Sequence, residues 1–96
     1  MDIAVYRKVM DTVDKISKVV SNGCWRDSCF VIYDTPYTIE IGKNRIVLKE
    51  SGDEVVILTR EGIAYARSEE ELKYLEEWCV ALTKMSFKRF IPKKFS

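Results

Sequence analysis

Between Cys29 and Arg67 the chain repeats one pattern, a short run of β-branched, aromatic and aliphatic residues followed by turn residues. The runs are CFVIY (29–33), YTIEI (37–41), RIVLK (45–49), EVVILT (54–59) and IAYAR (63–67), and the punctuation between them is DTP, GKN, SGD and EG. A period of two bounded by Gly, Pro, Asn and Asp marks strands. Connections this short cannot cross over a sheet, so consecutive strands pair as an antiparallel meander.

Residues directly opposite one another in such a pair share a face. A two-residue loop at Lys43-Asn44 sets Ile41 beside Ile46 and Ile39 beside Leu48, and the same logic through Glu61-Gly62 sets Leu58 beside Tyr65. One face then carries Tyr37, Ile39, Ile41, Ile46, Leu48, Leu58 and Tyr65. The other carries Thr38, Glu40, Arg45, Val47 and Lys49, with Val55, Ile57, Thr59, Ala64 and Ala66 on the later strands. That second face is mixed rather than polar.

Helical periodicity flanks the meander on both sides. Ile3, Tyr6, Val9, Met10, Val13, Ile16 and Val20 fall at helical spacing, with Asp2 as the cap and Asn22-Gly23 as the stop. At the other end Ser68 and Glu71 form a capping box ahead of a helix over 69–85, whose stripe is Leu72, Leu75, Trp78, Cys79, Leu82 and Met85. The expected architecture is a single two-layer α+β domain over 1–96, with an N-terminal helix, a meander of four to five strands and a C-terminal helix. Both helices cover one face of the sheet.

Catalytic chemistry finds little support. The chain has no His, which removes Ser-His and Cys-His nucleophile pairs and histidine zinc sites. Cys24, Cys29 and Cys79 lack paired CxxC spacing, so neither a metal nor a cofactor is expected. Each of the four glycines stands at an element boundary rather than in a phosphate loop. Glu69, Glu70 and Glu71 open a helix, where the dipole favours acids. The protein is read as a non-enzyme.

The cysteines are an odd number in a chain able to build a core, which favours buried free thiols. The chain has no Gln, only two Asn and abundant Lys, Glu, Val and Ile. This thermophile-like bias leaves an intracellular disulfide open as the alternative. No apolar run reaches a membrane span, and the first residues, MDIAVYRKVMD, do not read as a signal peptide. An intracellular, cytoplasmic protein without integral membrane association is expected.

Two binding surfaces stand out. Residues 84–96 hold five cations and no acid, whereas residues 1–83 carry a balance of −4 under a total of only +1. Helix-dipole chemistry accounts for Lys84, Lys88 and Arg89 but not for Lys93 and Lys94 beyond Pro92. In the tail 87–96 the cations alternate with Phe87, Phe90 and Phe95, the mixture a single-strand nucleic-acid surface uses. The candidate nucleic-acid residues are Lys88, Arg89, Phe90, Lys93, Lys94 and Phe95, extended by Arg45 and Lys49. Closure of the core by the same phenylalanines is the competing reading.

The second surface is a protein-interaction site formed by the mixed sheet face, with Val47, Val55 and Ile57, or by the Trp25 loop with Trp25 and Arg26. Trp25 packed across the end of the core is the blander alternative. Exposed Val47, Val55 and Ile57 also suit a homodimer contact. In its order of elements alone, the chain is similar in outline to small single-strand binding proteins of hyperthermophilic archaea and equally resembles small uncharacterised proteins of those archaea and their viruses, a likeness that implies nothing for individual residues.

Overall fold

A computed structural model describes residues 2–85. The order is α1 (Ile3–Asp11), α2 (Val13–Val19), β1 (Gly23–Arg26), β2 (Cys29–Asp34), β3 (Tyr37–Ile41), β4 (Arg45–Glu50), β5 (Asp53–Thr59), β6 (Gly62–Ala66) and α3 (Glu69–Met85). The six strands form one antiparallel sheet in sequence order. The fold is α+β, as the alternating runs require, with one strand more than they announce.

Asp2 caps α1 by accepting from the amide of Ala4 at 3.0 Å. The single N-terminal helix expected from the stripe is interrupted at Thr12, whose hydroxyl donates to the carbonyl of Lys8 at 2.7 Å. A threonine bonding back to the preceding turn bends a helix, and here it divides the stripe between α1 and α2. The stripe survives the break, since Tyr6, Val9, Met10 and Ile16 are all buried.

Asn22-Gly23 is not the helix stop. α2 ends at Val19 with Val20 extended, and Gly23 starts β1. A Cβ on Gly23 would lie 2.5 Å from Cζ of Phe30, so the glycine lets the Phe30 ring close over the strand. The segment read as a Trp25 loop is therefore the edge strand of the sheet, with Trp25 opposite Phe30.

The register at the centre is as expected: Ile41 pairs with Ile46 and Ile39 with Leu48 across a two-residue loop. Beyond β4 it departs twice. Val56 faces Leu48, and the next pair is Lys49 with Glu54. Val55 is thus an extra residue of a bulge, and it is buried in the core cluster rather than displayed on the open face.

The turn after β5 spans Arg60-Glu61, since Thr59 pairs with Gly62. Leu58 accordingly faces Ile63, and a second bulge sets Tyr65 opposite Ile57. Tyr65 leaves the helix-covered face for the open one. Ala66, assigned by alternation to the open face, packs partly against the core.

The core lies between the sheet and the helices and includes Tyr6, Ile16, Ile32, Ile39, Leu48 and Leu82. A Leu48→Ala substitution is expected to lower the unfolding free energy by roughly 2–5 kcal/mol in urea denaturation. Ile57→Ala, on the other face, should cost about 1 kcal/mol or less. Equal losses at the two positions would contradict a one-sided core.

Candidate functional site

Two places on the described surface have the character of a site. The first surrounds Glu71, the one buried charged residue among the described residues. Arg67, one turn before it, donates from Nε to Oε1 at 3.0 Å and from Nη2 to Oε2. Tyr37 donates to Oε2 at 2.9 Å, and the Ser68 hydroxyl donates to Oε1 at 3.0 Å. Ser68 also accepts from the Glu71 amide at 3.2 Å, which completes the N-terminal cap of α3.

The Arg67 guanidinium, above all, pulls the Glu71 carboxyl down to about 2, and the tyrosine and serine donors act in the same direction. A shifted carboxylate in a shallow pocket of about 360 Å³ fits the description of a functional site. Its bonding says otherwise. Each Glu71 oxygen already has two donors, and Arg67 spends its remaining reach on Glu50 at 2.7 Å. The cluster fastens α3 to β3 and β4.

Two further tyrosine–carboxylate bonds tie α3 to α1 and to β2. Tyr6 of α1 donates to Glu76 at 2.7 Å, and Tyr74 donates to Asp34 of β2, which also accepts from Trp78 Nε1 at 3.3 Å. Burial, with help from the facing carboxylate, pushes both the Tyr6 and the Tyr74 phenols well above their ordinary range.

The second place is the sheet face turned away from the helices. Its central row reads Cys24, Val31, Glu40, Val47, Ile57, Tyr65 across six strands. Val31 and Val47 form a floor, 5% and 3% exposed, although they stand outside the helix-side core. Val47 is therefore covered by its neighbours and is not the exposed contact residue expected. Tyr33 and Tyr65 stand up from this face at 41% and 45% exposure.

Charges on the face are mostly matched. Lys49 holds Glu40 at 3.0 Å and Arg45 holds Glu54 at 3.7 Å, so the two cations expected to extend a nucleic-acid surface each face an acid. Lys88, Arg89, Phe90, Lys93, Lys94 and Phe95 lie outside the described residues. The structure therefore brings together Arg45, Lys49, Val47 and Ile57, withdraws Val55, and adds Tyr33 and Tyr65. The bulge conceals Tyr65 from a reading by alternation, whereas the face of Tyr33 follows from its alternation with Val31 on β2.

Trp25 and Arg26 are both exposed, on edge strand β1. Trp25 is 45% exposed and tilts against Phe30 at 5.5 Å between ring centroids, so it does not seal the core. Arg26 Nη1 reaches the Tyr33 hydroxyl at 3.4 Å, and Cys24 Sγ lies 3.6 Å from the same oxygen. An open groove of about 430 Å³ runs between this pair and the Glu40–Lys49 bridge.

All three cysteines are free: Cys24 exposed, Cys29 half-buried and Cys79 buried. The expectation of buried thiols holds for Cys79 alone, and burial pushes that thiol up to about 12. Among the described residues no group of three or more Cys, Asp or Glu side chains is placed to hold a metal ion. No described helix is long and apolar enough to cross a membrane.

Fold and surface together define a small two-layer α+β module with a partly apolar, charge-matched sheet face that no described helix covers. The chain matches the family model described as Archaeoglobi AF1636 family protein over residues 2–94, and it belongs to that family. No curated protein and no solved structure matches it.

Two measurements check these assignments. Because the folded Glu71 carboxyl titrates near 2 against 4.5 for a free one, its contribution is complete above about 4.5 and is lost as the pH falls towards 2. Glu71→Gln should be less stable at neutral pH and should show a flatter stability profile across that window. With a thiol reagent in native buffer, Cys24 should react first and Cys79 only on unfolding; fast labelling of Cys79 would contradict its place in the core.

Proposed function

We propose that this protein is a non-enzymatic, intracellular binding module whose open sheet face receives a protein partner. One observation carries the reading: the three described helices lie on the same side of a six-stranded sheet, and the far side displays Tyr33, Tyr65 and half-buried Ile57. Exposed aromatic rings over an apolar floor suit a protein interface. The charge pairs Lys49–Glu40 and Arg45–Glu54 favour a protein over a polyanion, since phosphate contacts need unmatched cations. A second copy of the chain is one such partner, and sedimentation of the purified protein distinguishes a homodimer from a complex with another protein.

A second reading rests on charge alone. The split of +5 in residues 84–96 against −4 in the remainder favours nucleic acid at Lys88, Arg89, Lys93 and Lys94, with Phe90 and Phe95 stacking on bases.

A photo-crosslinking residue at Thr38, on the open face, should trap a discrete partner in cell extract, whereas one at Lys15, on α2, should not. Tyr65→Asp should abolish capture with a change in stability of only about 0.5 kcal/mol. Equal capture from both positions would remove the open-face reading. Gel shifts separate the nucleic-acid reading: the four cations predict a log–log salt slope as steep as roughly −2.8 on a single strand, lost on deletion of residues 88–96.

A further inference from the structure

Asn22-Gly23 does not end a helix, yet β2 holds both residues in place. A Cβ at position 23 would lie 2.5 Å from Cζ and 2.9 Å from Cε2 of Phe30, so packing requires the glycine. Asn22 makes the first rung between β1 and β2. Its main-chain carbonyl accepts from the Tyr33 amide at 2.8 Å, and its side-chain Nδ2 donates to the Tyr33 carbonyl at 2.7 Å. Oδ1 is enclosed and accepts no hydrogen bond from a described residue.

This dipeptide carries a chemistry of its own. An asparagine side-chain amide is open to attack by the main-chain nitrogen of the next residue, and glycine, without a side chain, crowds that nitrogen least. The Gly23 nitrogen gives its proton to solvent base and bonds to Asn22 Cγ. The Cγ–Nδ2 bond breaks, and Nδ2 takes up a proton and leaves as ammonia. Water then opens the cyclic imide at either carbonyl, which yields an aspartate or an isoaspartate, and neither step needs an oxidant or a reductant. The chain has no Gln and one other Asn, Asn44, which precedes the bulky Arg45.

The fold opposes the reaction. In a planar trans peptide the carbonyl of one residue and the N–H of the next point in opposite directions. The Asn22 carbonyl points to β2, so the Gly23 N–H points away from it, to the side of β1 where the sheet has no further strand. The Asn22 side chain is drawn the other way, to the Tyr33 carbonyl on β2. Nucleophile and amide face apart until β1 loosens.

We infer that Asn22 is the deamidation site of this chain, that its bond to the Tyr33 carbonyl keeps it unmodified in the folded protein, and that modification releases β1. The product is a carboxylate at neutral pH, and a carboxylate only accepts hydrogen bonds. It offers no donor to the Tyr33 carbonyl and sets a charge at the enclosed position of Oδ1. An isoaspartate also lengthens the main chain by a methylene group, which displaces the Gly23–Ile32 pair. Within the sheet β1 pairs with β2 alone, so no second strand retains it.

Warming the full chain at mildly alkaline pH, in native buffer and in urea, with peptide mapping for isoaspartate, tests this. Product is expected at position 22 ahead of position 44. It should form at least about tenfold more slowly in native buffer, because only the opened fraction reacts. The amides of Val31 and Tyr33, which face β1, should exchange with solvent about tenfold faster in Asn22→Asp than in wild type, while those of β4 and β5 stay protected. Asn44→Asp should leave Val31 and Tyr33 as they are in wild type. Should N22D not fold, wild type aged until partly modified gives the same exchange readout.

Equal rates in native buffer and urea would overturn the protection by Tyr33. Product absent from position 22 in urea would overturn the site itself. Unchanged exchange at Val31 and Tyr33 in the modified or substituted protein would overturn the release of β1.

Discussion

A sheet has two faces, and the described helices of this chain cover only one. The six strands follow one another without a crossover, so helices can enter only before the first strand and after the last. α1 and α2 arrive from one end and α3 from the other, and all pack on the same side, into a core that includes Ile39, Ile46, Leu48, Leu75 and Leu82. The open face follows from that topology. Antiparallel sheets tolerate such an arrangement when the far face is polar, and here it is polar only in part.

The acidity of α3 follows from the same layout. Its carboxylates could suggest acid-base chemistry, but Glu71 and Glu76 each accept a hydrogen bond from a tyrosine of another element. Asp34 on β2 returns the arrangement by accepting from Tyr74 and Trp78 on α3. Apolar packing sets the distance between helix and sheet but is indifferent to sliding along it. Directional bonds to Tyr6, Tyr37 and Tyr74 fix the position, so the displaced titrations around α3 belong to architecture.

Much of this could be read from the residues. The Ile41–Ile46 and Ile39–Leu48 pairs follow from alternation and an even loop, because any odd loop would set isoleucine beside arginine. The Ser68–Glu71 cap follows from spacing alone. What could not be read needed tertiary information: that Arg67 and Tyr37 converge on Glu71, that Thr12 turns its hydroxyl back on Lys8, and that Gly23 is required by the ring of Phe30 rather than by a helix end. Burial statistics would seat Trp25 across the end of the core because they describe residue types, whereas an edge strand leaves even a tryptophan half in solvent.

The two bulges matter beyond the register they disturb. A strand assigns its side chains to faces by parity, so one inserted residue changes the face of everything beyond it without altering strand order or length appreciably. At Val55 the insertion moves a valine from the open face into the core. Between Ile63 and Tyr65 it moves a tyrosine the other way, beside Ile57. Strict alternation would have left the open face with three exposed aliphatics and no ring on its later strands. The bulges take Val55 off that face and add Tyr65 to a face on which alternation already places Val31, Tyr33 and Val47. Two single-residue insertions that composition and periodicity do not register thus change an aliphatic face into one with an aromatic on its last strand.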